Sequence, residues 1–151
     1  MIKDSANKFR TLLFEIKSKD YPRSLKIEIR KETKKIKTET AIAYSKYSNA
    51  QVFLRVVTLA DMMRAKIEAF LKRREIRDVF DMEFLLKRGA SLDAPSEALK
   101  KVSAGIERLT KKDYTAKLGS LLEEGQRKYY ASENFKILKS AIGEKIRKAS
   151  D

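Results

Sequence analysis

The 151-residue chain contains no cysteine and no histidine. The first absence excludes thiol nucleophiles, zinc ribbons, iron–sulfur clusters and disulfides together. The second removes the commonest general base and most transition-metal sites. No apolar run approaches the roughly 18–20 residues that a membrane span needs. No short apolar segment follows a basic start, as a secretory signal would, so a cytoplasmic location is expected. Internal repeats, low-complexity tracts and an obvious linker are missing too, and the length predicts a single compact unit over 1–151. Any chemistry must therefore come from carboxylates, lysine, arginine, tyrosine or hydroxyl groups.

Charge of one sign, in contrast, is abundant. Lys and Arg number 35 against 21 Asp and Glu, a formal net charge of +14. Such a chain attracts polyanions through a field that salt weakens. The basic residues cluster in Lys31/Lys34/Lys35/Lys37, in Lys72/Arg73/Arg74/Arg77 and in Arg108/Lys111/Lys112. A merely solvated surface is the plain alternative, but 37% charged residues with this imbalance exceeds what solubility needs. Nucleic acid or nucleotide is the favoured partner class.

The hydrophobic pattern changes near residue 57. In the run 9–16 (FRTLLFEI), Leu12, Phe14 and Ile16 alternate, and in LKIEIR the residues Leu25, Ile27 and Ile29 alternate with Lys26, Glu28 and Arg30. The polar stretch KSKDYPRS between them, with Pro22 where no ladder bond is lost, suggests a β-hairpin over about 9–30. Residues 51–57 read as a further strand, and 36–44 alternates weakly as a short edge strand. From Thr58, an N-cap with Asp61 three residues on, everything reads as helix. Helical spacing predicts about five helices: one carrying Leu59, Met62, Met63, Ile67 and Phe70; one over Ile76 to Lys87 stopped at Gly89; one from Asp93-Ala-Pro through Leu109; one from Asp113 through Leu122; and one from Ser132. The fold class is α+β, a small antiparallel or mixed sheet followed by a helical bundle, with 1–57 sheet-rich and 58–151 helical.

The stretch 59–88 is the most informative. Lys66 lies four residues from both Met62 and Phe70, on the apolar stripe of its helix, where an ammonium must snorkel, meet a carboxylate or face an anion. Asp78 and Asp81 sit three apart at the start of the next helix, on one face. Arg73, Arg74 and Arg77 fill the turn between. One reading is structural, with Lys66 closing an ion pair between packed helices. The other is a phosphate site in which Lys and Arg hold triphosphate oxygens and Asp orients the lysine. Spacing alone leaves both open.

The run from Lys66 through Arg73 and Arg74 to Arg77-Asp78-Val-Phe-Asp81 resembles the lysine and Arg-Asp-x-x-Asp motifs of AbiEii/AbiGii-type nucleotidyltransferase toxins, which have a polymerase-β-like core. The strand Leu25-Lys26-Ile27-Glu28-Ile29 resembles the family's palm strand, and Gln51–Val57 leading into Leu59-x-x-Met62-x-x-Ala65-Lys66 continues the likeness over about residues 8–90. The resemblance implies metal-dependent transfer of a nucleotidyl group from an NTP to an acceptor, tRNA in some members, with a cognate antitoxin. It gives Lys66 and Asp78 catalytic roles, places Arg73, Arg74, Arg77 and Asp81 against nucleotide or nucleic acid, and makes Glu28 a metal ligand. The family's Gly-Ser or Gly-Gly-Thr turn and its Mg²⁺-holding Asp-x-Asp are absent: Gly119-Ser120 comes late and in a predicted helix, and Asp81-Met-Glu83 lies in a predicted helix where the two side chains diverge. The chain thus resembles the later part of such a protein, a sheet-rich palm remnant plus helices, needing Mg²⁺, NTP and a missing N-terminal half to complete a site. An exposed edge on the 9–30 hairpin predicts a homodimer joined at or near that sheet. A non-catalytic basic module binding RNA or DNA is the alternative, and an interaction protein with a purely structural Lys66–Asp78 pair is a third.

Overall fold

Most strands are rich in β-branched and aromatic residues bounded by polar turns, and most helices bury a stripe at helical spacing. The computed structural model describes residues 2–20, 22–31, 35–45 and 47–149. Lys34 of the first basic cluster and Tyr21 of the polar loop lie outside the described residues. The chain forms two units, Met1–Ile36 and Lys37–Asp151.

The first unit is a three-stranded antiparallel sheet in the order β1–β2–β3, with β1 at Ile2–Asn7, β2 at Thr11–Ile16 and β3 at Leu25–Arg30. The expected hairpin is present: Thr11 pairs with Arg30 and Ile16 with Leu25. Strand β1 is not legible in the sequence, because IKDSAN has neither alternation nor β-branched residues beyond Ile2. It covers the free edge of β2, pairing Asn7 with Leu12 through a tight turn closed by Lys8 and Thr11. Lys31 ties the same end together by donating to the Asn7 side chain and the Lys8 carbonyl. Leu25, Ile27 and Ile29 alternate as the sequence indicates, yet all three stay exposed.

The second unit opens with a long hairpin, β4 at Thr38–Ser45 against β5 at Ser48–Val57, which forms its own two-stranded sheet. The helices follow: α1 (Leu59–Arg73), α2 (Ile76–Lys87), α3 (Ser96–Ile106), a π-helical turn (Asp113–Leu118) running into a 3₁₀ turn (Gly119–Leu121), α4 (Glu124–Glu133) and α5 (Lys136–Lys148). Thr58 caps α1 as its sequence suggests, accepting the Asp61 N–H at 3.3 Å. The Thr58 N–H is already bound by the Lys37 carbonyl, so Asp61 instead accepts the Lys37 N–H at 2.5 Å. The start of the hairpin and the start of α1 are stitched together in this way. Gly89, at φ +88°, ends α2 as expected.

The boundaries shift most at the C-terminal end. Spacing predicts one helix from Asp113 to Leu122, but the π turn widens the coil and a 3₁₀ turn ends it at Leu121. The expected start of the last helix at Ser132 falls inside α4. Asn134 and Phe135 both adopt the left-handed conformation and break the chain there. Phe135 is thereby turned inward, fully buried beside Tyr114 and Tyr130.

The core lies in the helical part of the chain. Met63, Ile67, Phe70, Ile76, Val79, Met82, Leu85, Leu99, Val102, Ile106, Leu118, Leu138 and Ile142 interlock around α2, and no described residue before Asp61 is buried. Leu59 and Met62, expected on the buried face of α1, remain about two-fifths exposed.

Candidate functional site

Lys66 sits at the margin of the buried stripe of α1, because that stripe runs through Met63, Ile67 and Phe70 and leaves Met62 outside. The side chain is 31% exposed and reaches across to α2, where its Nζ lies 2.5 Å from Asp81 Oδ2 and 3.7 Å from Asp78 Oδ1. The two carboxylates share a face because α2 begins at Ile76, so Asp78 and Asp81 fall one turn apart.

Asp78 is fully buried, and Arg73 satisfies it with a bidentate fork: Nε donates to Oδ2 at 2.7 Å and Nη2 to Oδ1 at 2.5 Å. The hydrogen bonds from Arg73 to Asp78, and then the charge of Asp78, raise the guanidinium pKa further. Asp81 is 39% exposed, and among the described residues its ion pair is with Lys66. The network therefore has a fixed side, Arg73–Asp78, and an open side, Lys66–Asp81.

The remaining arginines separate. Arg74 caps α1 in the left-handed conformation and lays its guanidinium 5.9 Å from the centre of the Phe70 ring. Its Nη1 comes so close to Gly105 of α3 that a Cβ there would lie 2.5 Å away. Arg77 is exposed and meets no carboxylate among the described residues, and Asp113, then Glu75, raise the pKa of Lys117 against the small opposing charge of Arg77. Lys117 is held by Asp113 at 2.9 Å and by Glu75 at 3.8 Å. Through Glu75, Lys117 is brought to the α1–α2 turn. Glu28 is exposed on β3, opposite Leu13, and belongs to the first unit.

Glu83 is a functional-looking residue that the sequence did not single out. It is fully buried, its Oε2 accepts the Leu138 N–H at 3.1 Å, and its Oε1 lies 3.1 Å from Lys87 Nζ without hydrogen-bond geometry. Lys87 in turn donates to the Tyr130 hydroxyl at 3.3 Å and lies 5.2 and 5.4 Å from the Tyr129 and Tyr130 rings. Burial opposes the charge of Lys87, yet Glu83 and Tyr130 together hold its pKa above the ordinary value. The role is architectural: Phe135 offers no side-chain cap, so Glu83 meets the positive end of α5 from another helix. Asp81 and Glu83 do diverge, one to Lys66 and one to α5.

Magnesium, which the sequence resemblance implies, needs converging oxygen ligands with free lone pairs. Among the described residues no three acidic groups gather to offer them. Asp78 spends both oxygens on Arg73, and the Asp81 oxygen is taken by Lys66. These residues do not by themselves fit the ion.

The family model described as "Nucleotidyl transferase AbiEii toxin, Type IV TA system" matches residues 2–144. No curated protein and no solved structure matches the chain. No helix among the described residues is long and apolar enough to cross a membrane.

Proposed function

Since the chain belongs to the AbiEii nucleotidyl transferase toxin family, we propose that its α1–α2 turn binds the polyphosphate of a nucleotide, with nucleic acid lying on the adjoining basic surface. The observation that carries this reading is the asymmetry of the Lys66 network. Asp81 is half-exposed and held by one ion pair, so an incoming phosphate oxygen can take its place on the ammonium with similar geometry. Asp78 is buried and doubly bonded to Arg73, so it stays and keeps Lys66 aimed outward. Lys66 and Asp78 then serve as the lysine and acidic residue of the last motif. Arg74 and Arg77 add charge beside them, Arg73 holds Asp78, and Asp81 is the group displaced.

Nucleotidyl transfer needs a metal that the described carboxylates do not assemble, and the sequence has neither the Gly-Ser turn nor the Asp-x-Asp. Glu28 remains the proposed third acidic position. The 151 residues alone should therefore bind without turnover: labelled NTP with tRNA and Mg²⁺ should give no incorporation above a protein-free control. A cognate antitoxin is the partner that family membership suggests.

Titration calorimetry of the whole chain with ATP, GTP, CTP and UTP tests the site. Asp81→Asn should tighten nucleotide binding, because it removes the competing anion, and Lys66→Met should weaken it at least tenfold. If Lys66→Met lowers the melting temperature and leaves nucleotide affinity unchanged, the lysine is a structural tie only.

The second reading, a non-catalytic RNA- or DNA-binding module, is favoured by one observation: Arg77 has no carboxylate partner among the described residues, and Lys117, 3.8 Å from Glu75, brings another basic side chain to the same turn. In that case Lys66→Met leaves RNA affinity intact, whereas Arg77→Ala shallows its salt dependence by about one unit of slope.

A further inference from the structure

Three partly exposed apolar side chains lie in line with the Lys66–Asp81 ion pair. On α1, Leu59 and Met62 precede Lys66 by seven and four residues, which sets them on its face, about two-fifths exposed. On α2, Phe84 and Arg88 follow Asp81 by three and seven residues, again on one face, and Phe84 is 46% exposed. The two helices run antiparallel, because Arg73 bonds Asp78 whereas Lys66, earlier on α1, bonds Asp81, later on α2. The seam between them is therefore graded along its length. Arg73 and Arg77 stand at the turn, Lys66 in the middle, and Met62, Leu59, Phe84 and Arg88 towards the far end. The Arg88 guanidinium lies 5.2 Å from the centre of the Phe84 ring and meets no carboxylate among the described residues.

Resting on the polyphosphate reading of Lys66, we propose that the far end of this seam holds the base of the same nucleotide, stacked on Phe84 with its edge toward Arg88. Phe84 and Arg88 stand about 4.5 and 10.5 Å beyond Asp81 along α2, an interval that a ribose and its first phosphate bridge. An exposed aromatic ring accepts any base, since every base has a π-face to stack. A guanidinium carries donors and no acceptor, which suits the carbonyl and ring-nitrogen acceptors at a base edge. Leu59 and Met62 supply apolar surface on the α1 side of the seam. Three partly exposed side chains are too small a patch for a protein partner, which takes roughly 800 Å² from each side. Inorganic polyphosphate engages the cationic end and leaves the apolar end in water, so the two ligands differ only in what this end binds.

Titration calorimetry of the whole chain with inorganic tripolyphosphate and with the four NTPs separates the two ends. Phe84→Ala should weaken the tightest-binding NTP at least about fivefold and leave tripolyphosphate affinity unchanged, whereas Lys66→Met should weaken both. Phe84→Leu keeps the apolar bulk without the π-face and should lose NTP affinity in the same way. The chain has no tryptophan, so Phe84→Trp introduces a sole indole. Its fluorescence should be quenched by NTP and not by tripolyphosphate, and that of Tyr44→Trp, exposed on β4, by neither. NTP affinity unchanged in Phe84→Ala and Phe84→Leu but lost in Lys66→Met overturns the base subsite and leaves the polyphosphate reading standing. Equal loss of NTP and tripolyphosphate on Phe84→Ala also overturns it, since Phe84 then acts only through the fold. Should Phe84→Ala fail to fold, Phe84→Leu and the indole decide, and an indole that NTP does not quench counts against the proposal. A wild-type chain that binds neither ligand overturns both readings together.

Discussion

Asp78 and Asp81 show how three residues of spacing separate two energetic regimes. Asp78 is buried with two charged donors, so Asp78→Asn strands Arg73 and Lys66 and should cost about 3 kcal/mol in urea denaturation. Asp81 is open to solvent, and Asp81→Asn should cost no more than about 1 kcal/mol. Comparable losses from the two substitutions would show that burial does not distinguish them. Asp113 carries the clearest pH signature. Hydrogen bonds from the Thr110 N–H, Lys117 and the Thr110 hydroxyl lower its pKa from 3.8 to about 2. A depressed acid stabilises the fold above its unfolded pKa, and this contribution is lost as pH falls through the folded value. The stability difference between the wild type and Asp113→Asn should accordingly be constant at pH 5 and above and fade between about pH 4 and 2. Guanidinium melts across that range measure it, and a difference unchanged at pH 2 would refute the assignment.

At the scale of elements, the helix start at Thr58 was legible because Thr-x-x-Asp is a local signal, and the same pattern at Thr110, which the spacing did not single out, precedes the helix expected from Asp113. Thr110 and Asp113 bond reciprocally as a capping box, and Thr58 accepts from Asp61. The start of α5 was not legible, because its cap comes from Glu83, 55 residues earlier in the chain. Replacing Glu83 by Gln keeps the shape and removes the charge that faces the helix end and Lys87. It should cost about 1–3 kcal/mol, read as a lower melting temperature. No loss on Glu83→Gln would show that the charge contributes nothing at that helix end. The π turn was similarly hidden: Tyr114, Leu118, Leu121 and Leu122 fit an ordinary helix by spacing. Gly119 approaches the Tyr114 carbonyl so closely that a Cβ would lie 3.0 Å from it, a packing constraint that periodicity does not encode.

Across the whole molecule, burial is confined to the helical part. The first unit has no buried residue among those described, and three strands without a covered face are only marginally stable. Amide hydrogen exchange should therefore show β1–β3 exchanging through low-energy local openings while α1, α2, α3 and α5 exchange near the global limit. Protection in β1–β3 equal to that of α2 would mean that the sheet unfolds with the core.

The sequence by itself determined the α+β class, the 9–30 hairpin, the α1 and α2 boundaries and the chemistry allowed by the absence of cysteine and histidine. These follow from period, turn residues and composition, all of which act within a few residues. It also brought Lys66, Asp78 and Asp81 onto facing positions, since two helices joined by a short turn must pack side by side. Only the tertiary structure decided that Arg73 fixes Asp78 while Asp81 stays open, that Lys117 reaches Glu75 in the α1–α2 turn, that Glu83 is buried, and that Ile27 and Phe53 are not. Burial depends on which faces find a covering element, and alternation names a face without saying whether anything covers it.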